Sequence, residues 1–318
     1  HNSGRRQRQM CIRDRPSTFY YAWQVDTMLL SFKRVGIDLN LVHIISVTHS
    51  GIDPHFKKIE HKWSKLGVIF TYYEDTRGGF QYISSVRPHV LEKHWRAFPH
   101  LENQNILYHD CDIALTRSID NLESMLNDDT VYLSDTISYI GAKYIESKGH
   151  GIFEQMCEIV GIDKDLVRSR EADSGGAQYI LKPGITAEFW AKVYKDSEQL
   201  FKQITDKNST LRSSDYHELQ IWCADMWAVL WNLWLEGYET KVVPELDFSW
   251  GTSTHDLWNK HAIYHNAGVT SEQPGQPFYK PLYMDGNSPI NAPRPSNKWA
   301  SQRYYDLVVQ SWNETMKS

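Results

Sequence analysis

The 318-residue chain is long enough for one large domain or two small ones, and it can bury a substantial core. Its formal net charge is −5; because five arginines and one aspartate give residues 1–15 a charge of +4, residues 16–318 carry −9. A body that acidic argues against nucleic acid as a partner, and no apolar run approaches the ~20 residues that span a bilayer.

The body contains three cysteines, Cys111, Cys157 and Cys223, whose number and spacing fit neither a disulfide framework nor a zinc site. That usage is typical of a reducing compartment. The N-terminal residues also show no apolar signal-peptide core. We therefore expect a cytoplasmic protein without a membrane span.

Residues 1–15 (HNSGRRQRQMCIRDR) differ from the rest, since they are basic and lack a periodic apolar pattern. RRQRQMCIRDR also resembles translated sequencing-adapter sequence of the kind found in environmental assemblies, so we expect a non-native tail. The alternative is a genuine basic arm. No linker or repeat interrupts residues 16–318, which we expect to form a single domain.

Apolar, β-forming runs alternate with segments of helical periodicity along the rest of the chain. In chain order the pattern predicts a helix over 19–35, strands over 41–47 and 68–73, a helix over 88–97, a strand over 105–110, a helix over 119–126, a strand over 130–133, a helix over 151–161, a strand over 176–181, helices over 185–204 and 217–236, strands over 241–243 and 262–265, and a helix over 299–316. Residues 270–297, rich in Pro, Gly and Asn, are expected to be irregular. This alternation predicts an α/β fold, with a mostly parallel sheet covered by helices on both faces.

Two carboxylates, Asp110 and Asp112, stand where the predicted strand over 105–110 leaves the core, and another apolar run follows them. Residues i and i+2 of a strand point to the same side, so both side chains could converge on one ion. Two hard oxygen ligands suit Mg²⁺ or Mn²⁺, especially where phosphate oxygens complete the coordination shell. The alternative is a surface pair, because Asp-x-Asp is a common tripeptide.

Two further segments could contribute to a site. Gly175 and Gly176 precede a predicted strand, where paired glycines let the backbone approach a ligand closely and offer N–H donors; an ordinary turn is the alternative. Asp225 lies inside a strongly apolar helical segment, and a buried carboxylate is costly unless it is paired or functional. It is therefore either a site residue or a bridge within the fold.

Three basic side chains complete the candidates. His265 ends a short strand, where it could bind a metal, although a lone histidine is more often structural. Lys280 could neutralise a diphosphate. Arg87 precedes Pro88 at a predicted helix start, where an arginine and the helix N-terminus can hold a phosphate; a plain surface arginine is the alternative.

The order of these motifs resembles that of GT-A-type glycosyltransferases, and within them the plant and algal hydroxyproline O-arabinosyltransferase and peptidyl-serine α-galactosyltransferase group. There an aromatic-x-x-Trp-Gln element opens the domain, as Trp23-Gln24 does here. A late Trp-x-x-Glu-Met-Trp element corresponds to residues 222–227, with Asp225 in place of Glu, and the group's Lys-Pro is Arg87-Pro88 here. The resemblance covers about residues 19–268.

His265-x-x-Gly268, followed by Lys280, also resembles the metal and diphosphate clamp of glycogenin-type retaining transferases, with a longer spacer. In the resembled fold a first strand helps to hold the nucleotide base. That strand would precede Phe19, where the tail lies, so the resemblance leaves the first strand as a feature that this chain could lack.

The resemblance implies a GT-A (Rossmann-like) fold and a hexosyl- or pentosyltransferase. Such an enzyme moves a sugar from a nucleotide sugar, here expected to be UDP-linked, to a hydroxyl of a protein or glycan acceptor, with retention of the anomeric configuration. It implies a Mn²⁺ (or Mg²⁺) site formed by Asp110, Asp112 and His265. It also implies a donor site formed by Gln24, Arg87, Asp110, Gly175, Gly176 and Lys280, and a catalytic Asp225.

Two other functions are compatible with the sequence. One is a non-catalytic carbohydrate-binding or scaffold protein on a decayed transferase fold. The other is a transferase that acts on a modified DNA base, against which the acidic body argues. In the transferase interpretation, we expect the loops over 76–85, 133–144 and 247–259 to determine the sugar and the acceptor.

Overall fold

The computed structural model describes residues 9–49, 51–210, 217–284 and 286–317. The described chain falls into two compact units. Unit 1 comprises Asp75–Leu107 and Glu123–Pro244, and unit 2 comprises Gln9–Glu74, Tyr108–Leu122 and Glu245–Ser318. The single domain expected over 16–318 stays a prediction.

Strands and helices alternate along both units. The strands are β1 Gln9–Pro16, β2 Val42–Thr48, β3 Ile69–Glu74, β4 Asn105–Tyr108, β5 Ile113–Leu115, β6 Val131–Asp135, β7 Gly175–Leu181, β8 Thr240–Val242, β9 Phe248–Trp250 and β10 Ile263–His265. The α-helices are α1 Phe19–Arg34, α2 Pro54–Ser64, α3 Val86–Ala97, α4 Leu122–Leu126, α5 Ile137–Ile140, α6 Ala142–Glu146, α7 Ile152–Val160, α8 Lys164–Ser169, α9 Ala187–Thr210, α10 Ala224–Leu235, α11 His255–Lys260 and α12 Ser301–Lys317. None of the described helices is long and apolar enough to cross a membrane.

Unit 2 contains a parallel sheet of order β3-β2-β1. Residues 11–16 of β1 lie in register with 42–47 of β2, and residues 43–48 of β2 with 69–74 of β3. A second sheet has the order β5-β10-β9, in which β10 runs antiparallel to β5 and parallel to β9. The presence of β1 corrects the expectation that the first strand could be missing, because the backbone of the tail itself supplies a strand before Phe19.

Unit 1 has the strand order β4-β7-β6-β8, with β6 antiparallel to β7 and parallel to β8. Helix α9 packs against α3 and α10. Large side chains such as Trp95, Trp190 and Trp227 are fully buried in this unit. The alternation of helices with strands, and the parallel pairings in both units, confirm the predicted α/β fold class.

The structure corrects several predicted boundaries, two of them next to candidate site residues. The strand over 105–110 ends at Tyr108, because the chain turns before the charged side chains, which could not continue through a buried strand at low cost. The helix over 217–236 begins only at Ala224, after a 3₁₀ turn over Ile221–Cys223. Of residues 217–220 only Leu219 is buried, so this segment offers no apolar stripe on which a helix could pack.

Asp26 of α1 ties together three helices of unit 2. Its Oδ1 accepts hydrogen bonds from Lys62 Nζ at 3.1 Å and Trp63 Nε1 at 2.7 Å, both on α2. Its Oδ2 accepts from Thr315 Oγ1 of α12 at 2.6 Å. Burial raises the pKa of Asp26, and the Lys62 ammonium offsets only part of that rise. The buried carboxylate is tolerated because both of its oxygens accept hydrogen bonds.

We expect Asp26→Ala to lower the free energy of unfolding by about 2–4 kcal/mol, since it leaves the buried donors of Trp63 and Thr315 without this acceptor and removes the ion pair with Lys62. Urea denaturation followed by circular dichroism measures the change. Asp306→Ala, which breaks an exposed ion pair with Arg294, is the matched control and should cost at most about 1 kcal/mol. Equal losses in the two variants would contradict the structural role of Asp26.

His55 of α2 gives unit 2 a pH-dependent stability. Its ring stacks on Trp312, with centroids 4.5 Å apart, and burial lowers its pKa from 6.5 to about 4. The unfolded chain therefore binds the proton near pH 6.5 and the folded chain only near pH 4. The contribution of the neutral His55 ring to the free energy of unfolding is therefore complete above pH 6.5 and is lost as the pH falls towards 4.

We expect His55→Phe to retain the stacking but to flatten this pH dependence. The measurement is the urea midpoint of both proteins at pH 7.5 and pH 5. The wild-type midpoint should fall more than that of the variant over this interval. An equal fall in both proteins would show that other groups account for the acid sensitivity.

Candidate metal centre

Asp110 and Asp112 lie in the turn directly before β5 of unit 2. Strand β10 pairs antiparallel with β5, so that His265 stands opposite Ile113. The N–H of Asn266 donates to the carbonyl of Asp112 at 2.8 Å. Backbone hydrogen bonds thus bring the predicted histidine to the predicted acid pair.

The three predicted metal ligands form a compact cluster. One ligand atom from each of Asp110, Asp112 and His265 lies within 4.8 Å of the others. His265 Nε2 is 3.6 Å from Asp110 Oδ2 and 3.3 Å from Asp112 Oδ1. Two carboxylate oxygens and one imidazole nitrogen are a donor set that fits Mn²⁺ or Mg²⁺ with open positions for further oxygen ligands.

Lys280 also reaches this cluster, because its ammonium contacts Asp112 Oδ2. The two oxygens of Asp112 therefore have different partners, since Oδ2 contacts Lys280 and Oδ1 faces His265. Burial alone would raise the pKa of Asp112, but the Lys280 ammonium and His265 outweigh it and hold the pKa well below the usual range. Asp112 is thus ionised. The binding of a diphosphate by Lys280 stays a prediction.

Aromatic side chains fix the plane of the His265 ring. Trp250 stacks on it at 6.0 Å with an interplanar angle of 14°, and Phe248 lies 5.2 Å away. Both residues are on β9, which pairs in parallel with β10 so that Trp250 stands opposite His265. The sequence prediction missed this strand, because Phe248-Ser249-Trp250 is too short a run for its alternation of apolar and polar residues to stand out from a loop.

Gln24 of α1 is 1% exposed and makes its hydrogen bonds within unit 2. Its Nε2 donates to the carbonyl of Tyr20 at 2.6 Å, and its Oε1 accepts from Cys111 Sγ at 3.8 Å. Cys111 stands between the two acids in the chain, so Gln24 supports the turn that carries them. Its predicted contact with the donor stays a prediction.

Asp225 and Arg87 meet in unit 1. Asp225, in the first turn of α10, accepts hydrogen bonds from Arg87 Nη1 of α3 at 3.1 Å and from the Tyr82 hydroxyl at 2.6 Å. Asp225 is 6% exposed. Its ion pair with Arg87 is the kind of partner that we expected for a buried carboxylate. Tyr82 was missed, because an aromatic residue in a loop carries no distinguishing pattern.

Gly175 and Gly176 are the first residues of β7 rather than part of a turn. A Cβ on Gly175 would lie 2.5 Å from Leu133 Cβ and 2.6 Å from the Ser134 carbonyl. On Gly176 it would lie 2.7 Å from Met226 Cε. The close approach of neighbouring protein atoms therefore accounts for both glycines, and their contact with a sugar stays a prediction.

Comparison with solved structures gives backbone matches to glycosyltransferases. The galactosyltransferase LgtC, in complex with donor and acceptor sugar analogues, matches at TM-score 0.49 and 12% identity over 96% of this chain and 100% of LgtC. The bifunctional glycosyltransferase WbbM matches at TM-score 0.49 and 12% identity over 96% of this chain but only 52% of its own. GlyE of Streptococcus pneumoniae TIGR4 matches at TM-score 0.43 and 10% identity over 97% of this chain and 62% of its own.

No protein-family model matches the sequence, and no curated protein does.

The steric account of Gly175 can be tested against a ligand-binding one. We expect Gly175→Ala to lower the free energy of unfolding by about 1–3 kcal/mol, because the added methyl meets backbone and side-chain atoms of β6. Gly78→Ala, at a position with nothing within 4 Å, is the control and should leave stability nearly unchanged. Thermal denaturation of both variants measures the difference. A fully stable Gly175→Ala protein with impaired donor binding would instead favour the ligand-binding role.

Proposed function

We propose that the protein is a metal-dependent glycosyltransferase of the GT-A type, which moves a sugar from a nucleotide sugar to a hydroxyl of an acceptor. The observation that carries the proposal is the cluster of Asp110, Asp112 and His265, with Lys280 beside it. Two carboxylates and an imidazole gathered on a short sheet of an α/β protein, next to a partly buried ammonium, suit a divalent cation that binds a diphosphate. We propose UDP as the nucleotide.

Asp110, Asp112 and His265 would hold the Mn²⁺ or Mg²⁺ ion, whose chemistry is to neutralise the charge that grows on the diphosphate leaving group. Lys280 holds Asp112 Oδ2 and so leaves Oδ1 on the side of His265. Trp250 and Phe248 keep the imidazole in one plane. These residues orient the ligands before a cation arrives, which reduces the ordering cost of binding.

Asp225 is proposed as the catalytic carboxylate. Arg87 and Tyr82 each hold one of its oxygens, which fixes the direction of its negative charge. A charge held in place suits stabilisation of a cationic sugar better than it suits the proton acceptor that an inverting reaction needs. Retention is therefore the stereochemical outcome that we propose.

The alternative of a non-catalytic protein on a decayed fold is less well supported than the sequence alone indicated. Loss of the first strand would favour a decayed fold, but β1 is present. The ligand set, the supporting rings and the ion pair at Asp112 are also all in place. A transferase acting on DNA stays disfavoured by the acidic net charge.

We expect Asp112→Asn to weaken Mn²⁺ binding by at least about tenfold, because it removes a charged ligand. Isothermal titration with Mn²⁺ measures this directly. Removal of metal with EDTA should abolish UDP release from UDP-sugars in the wild-type protein, and added Mn²⁺ should restore it. Asp120→Asn changes an exposed carboxylate of unit 2 and should leave Mn²⁺ affinity unchanged.

Wild-type protein that binds neither Mn²⁺ nor UDP would refute the proposal and favour the decayed fold. Equal Mn²⁺ affinity in Asp112→Asn and wild type would refute the ligand assignment alone.

A further inference from the structure

Trp222 is the exposed tryptophan of this chain. All twelve tryptophans lie in described residues, and Trp222 alone among them is exposed, with 56% of its surface accessible. It belongs to the 3₁₀ turn that precedes α10 in unit 1. A large aromatic surface left in water is a common mark of a binding site.

A second ring extends this surface. Tyr139 of α5 stacks on Trp222 with centroids 5.9 Å apart and an interplanar angle of 28°. Together the two rings form a small aromatic ledge. Tyr139 lies in the loop over 133–144, one of the three segments expected to determine the sugar or the acceptor.

Hydrogen bonds to neighbouring side chains hold the ledge in place. Trp227 Nε1 of α10 donates to the carbonyl of Ile140 at 2.8 Å, which fixes the helix that carries Tyr139. The Tyr82 hydroxyl lies 2.6 Å from the Trp222 carbonyl and 2.6 Å from Asp225 Oδ1. The same hydroxyl therefore connects the ledge to the carboxylate proposed to be catalytic.

The shape and the lack of charge of the ledge indicate the class of ligand that it fits. The exposed ring of Trp222, against which Tyr139 stacks, offers a flat and uncharged apolar surface. A pyranose ring has one apolar C–H face of matching size with hydroxyls around its rim. A nucleic acid base would also stack, but its phosphates would meet an acidic protein. A proline-rich peptide needs a groove between successive aromatic rings rather than one stacked pair.

We infer that Tyr139 and Trp222 form an acceptor subsite that stacks against a sugar ring, so that the acceptor is a glycan or glycoside. The role as acceptor subsite rests on the proposed transferase function. The binding of a sugar ring does not, because it follows from the ledge itself.

The test is binding of xylo-, malto-, cello- and galacto-oligosaccharides to the full chain, followed by NMR of the tryptophan indole N–H signals. We expect at least one oligosaccharide to shift the Trp222 signal, which the Trp222→Phe spectrum identifies. Trp222→Ala should weaken that binding by at least about tenfold, and Trp222→Phe, which retains a ring, by less. Leu235→Ala removes an exposed apolar side chain of the same unit and should change the affinity by less than about twofold.

Undiminished binding to Trp222→Ala, or no oligosaccharide binding by the wild type, would overturn the inference. A proline-rich peptide that shifts the Trp222 signal when no oligosaccharide does would overturn it in favour of a peptide acceptor. Titration of the wild type with Mn²⁺ and UDP runs in parallel. Sugar binding at Trp222 without binding of Mn²⁺ or UDP would refute the transferase but leave the sugar site standing.

Discussion

The candidate metal centre depends on one backbone constraint, the antiparallel register of β5 and β10. Because His265 pairs with Ile113, the register places the imidazole beside the two acids that precede β5. The hydrogen bond from the N–H of Asn266 to the Asp112 carbonyl continues this pairing by one residue. A slip of one residue would turn His265 to the other face of the sheet. Ligands that are distant in sequence thus reach one point without a flexible segment having to be ordered when a cation binds.

A second regularity is that buried carboxylates are matched with cations inside their own unit. The pairs are Asp26 with Lys62, Asp112 with Lys280, Asp196 with Lys192, and Asp225 with Arg87. Each carboxylate is buried, and an isolated charge there would cost several kcal/mol. Pairing alone therefore does not distinguish a structural acid from a functional one. The distinction comes from the other contacts: Asp26 is enclosed by donors from three helices, whereas Asp112 keeps one oxygen directed at His265 and Asp110.

The sequence predicted the parts of the molecule that are governed by local patterns. Helices such as α1 and strands such as β2 follow from apolar periodicity, and the two acids and His265 were recognised because metal ligands are few in kind. Short strands such as β5 and β9 were not predicted, since three residues carry too little periodicity to differ from a loop. The pairing of Lys280 with Asp112 could not be predicted either, because it depends on an irregular segment whose path no local pattern determines. Composition also does not decide whether the tail can join the sheet, because strand pairing depends on backbone groups that any sequence supplies, and residues 9–16 form β1. The non-native origin of residues 1–15 stays a prediction.

The position of Lys280 also bears on how the centre could favour a nucleotide. Asp110 and Asp112 together would cancel the charge of a divalent cation. The metal-bound centre would then be neutral and would attract a diphosphate only weakly. Lys280 compensates for one of the two carboxylates through its contact with Asp112 Oδ2. With a cation bound, the cluster would then keep a single net positive charge in a partly buried setting, where attraction for an anion is screened less than at the surface. On this argument the lysine need not leave Asp112 to assist the donor, because its charge already acts through the carboxylate that it holds.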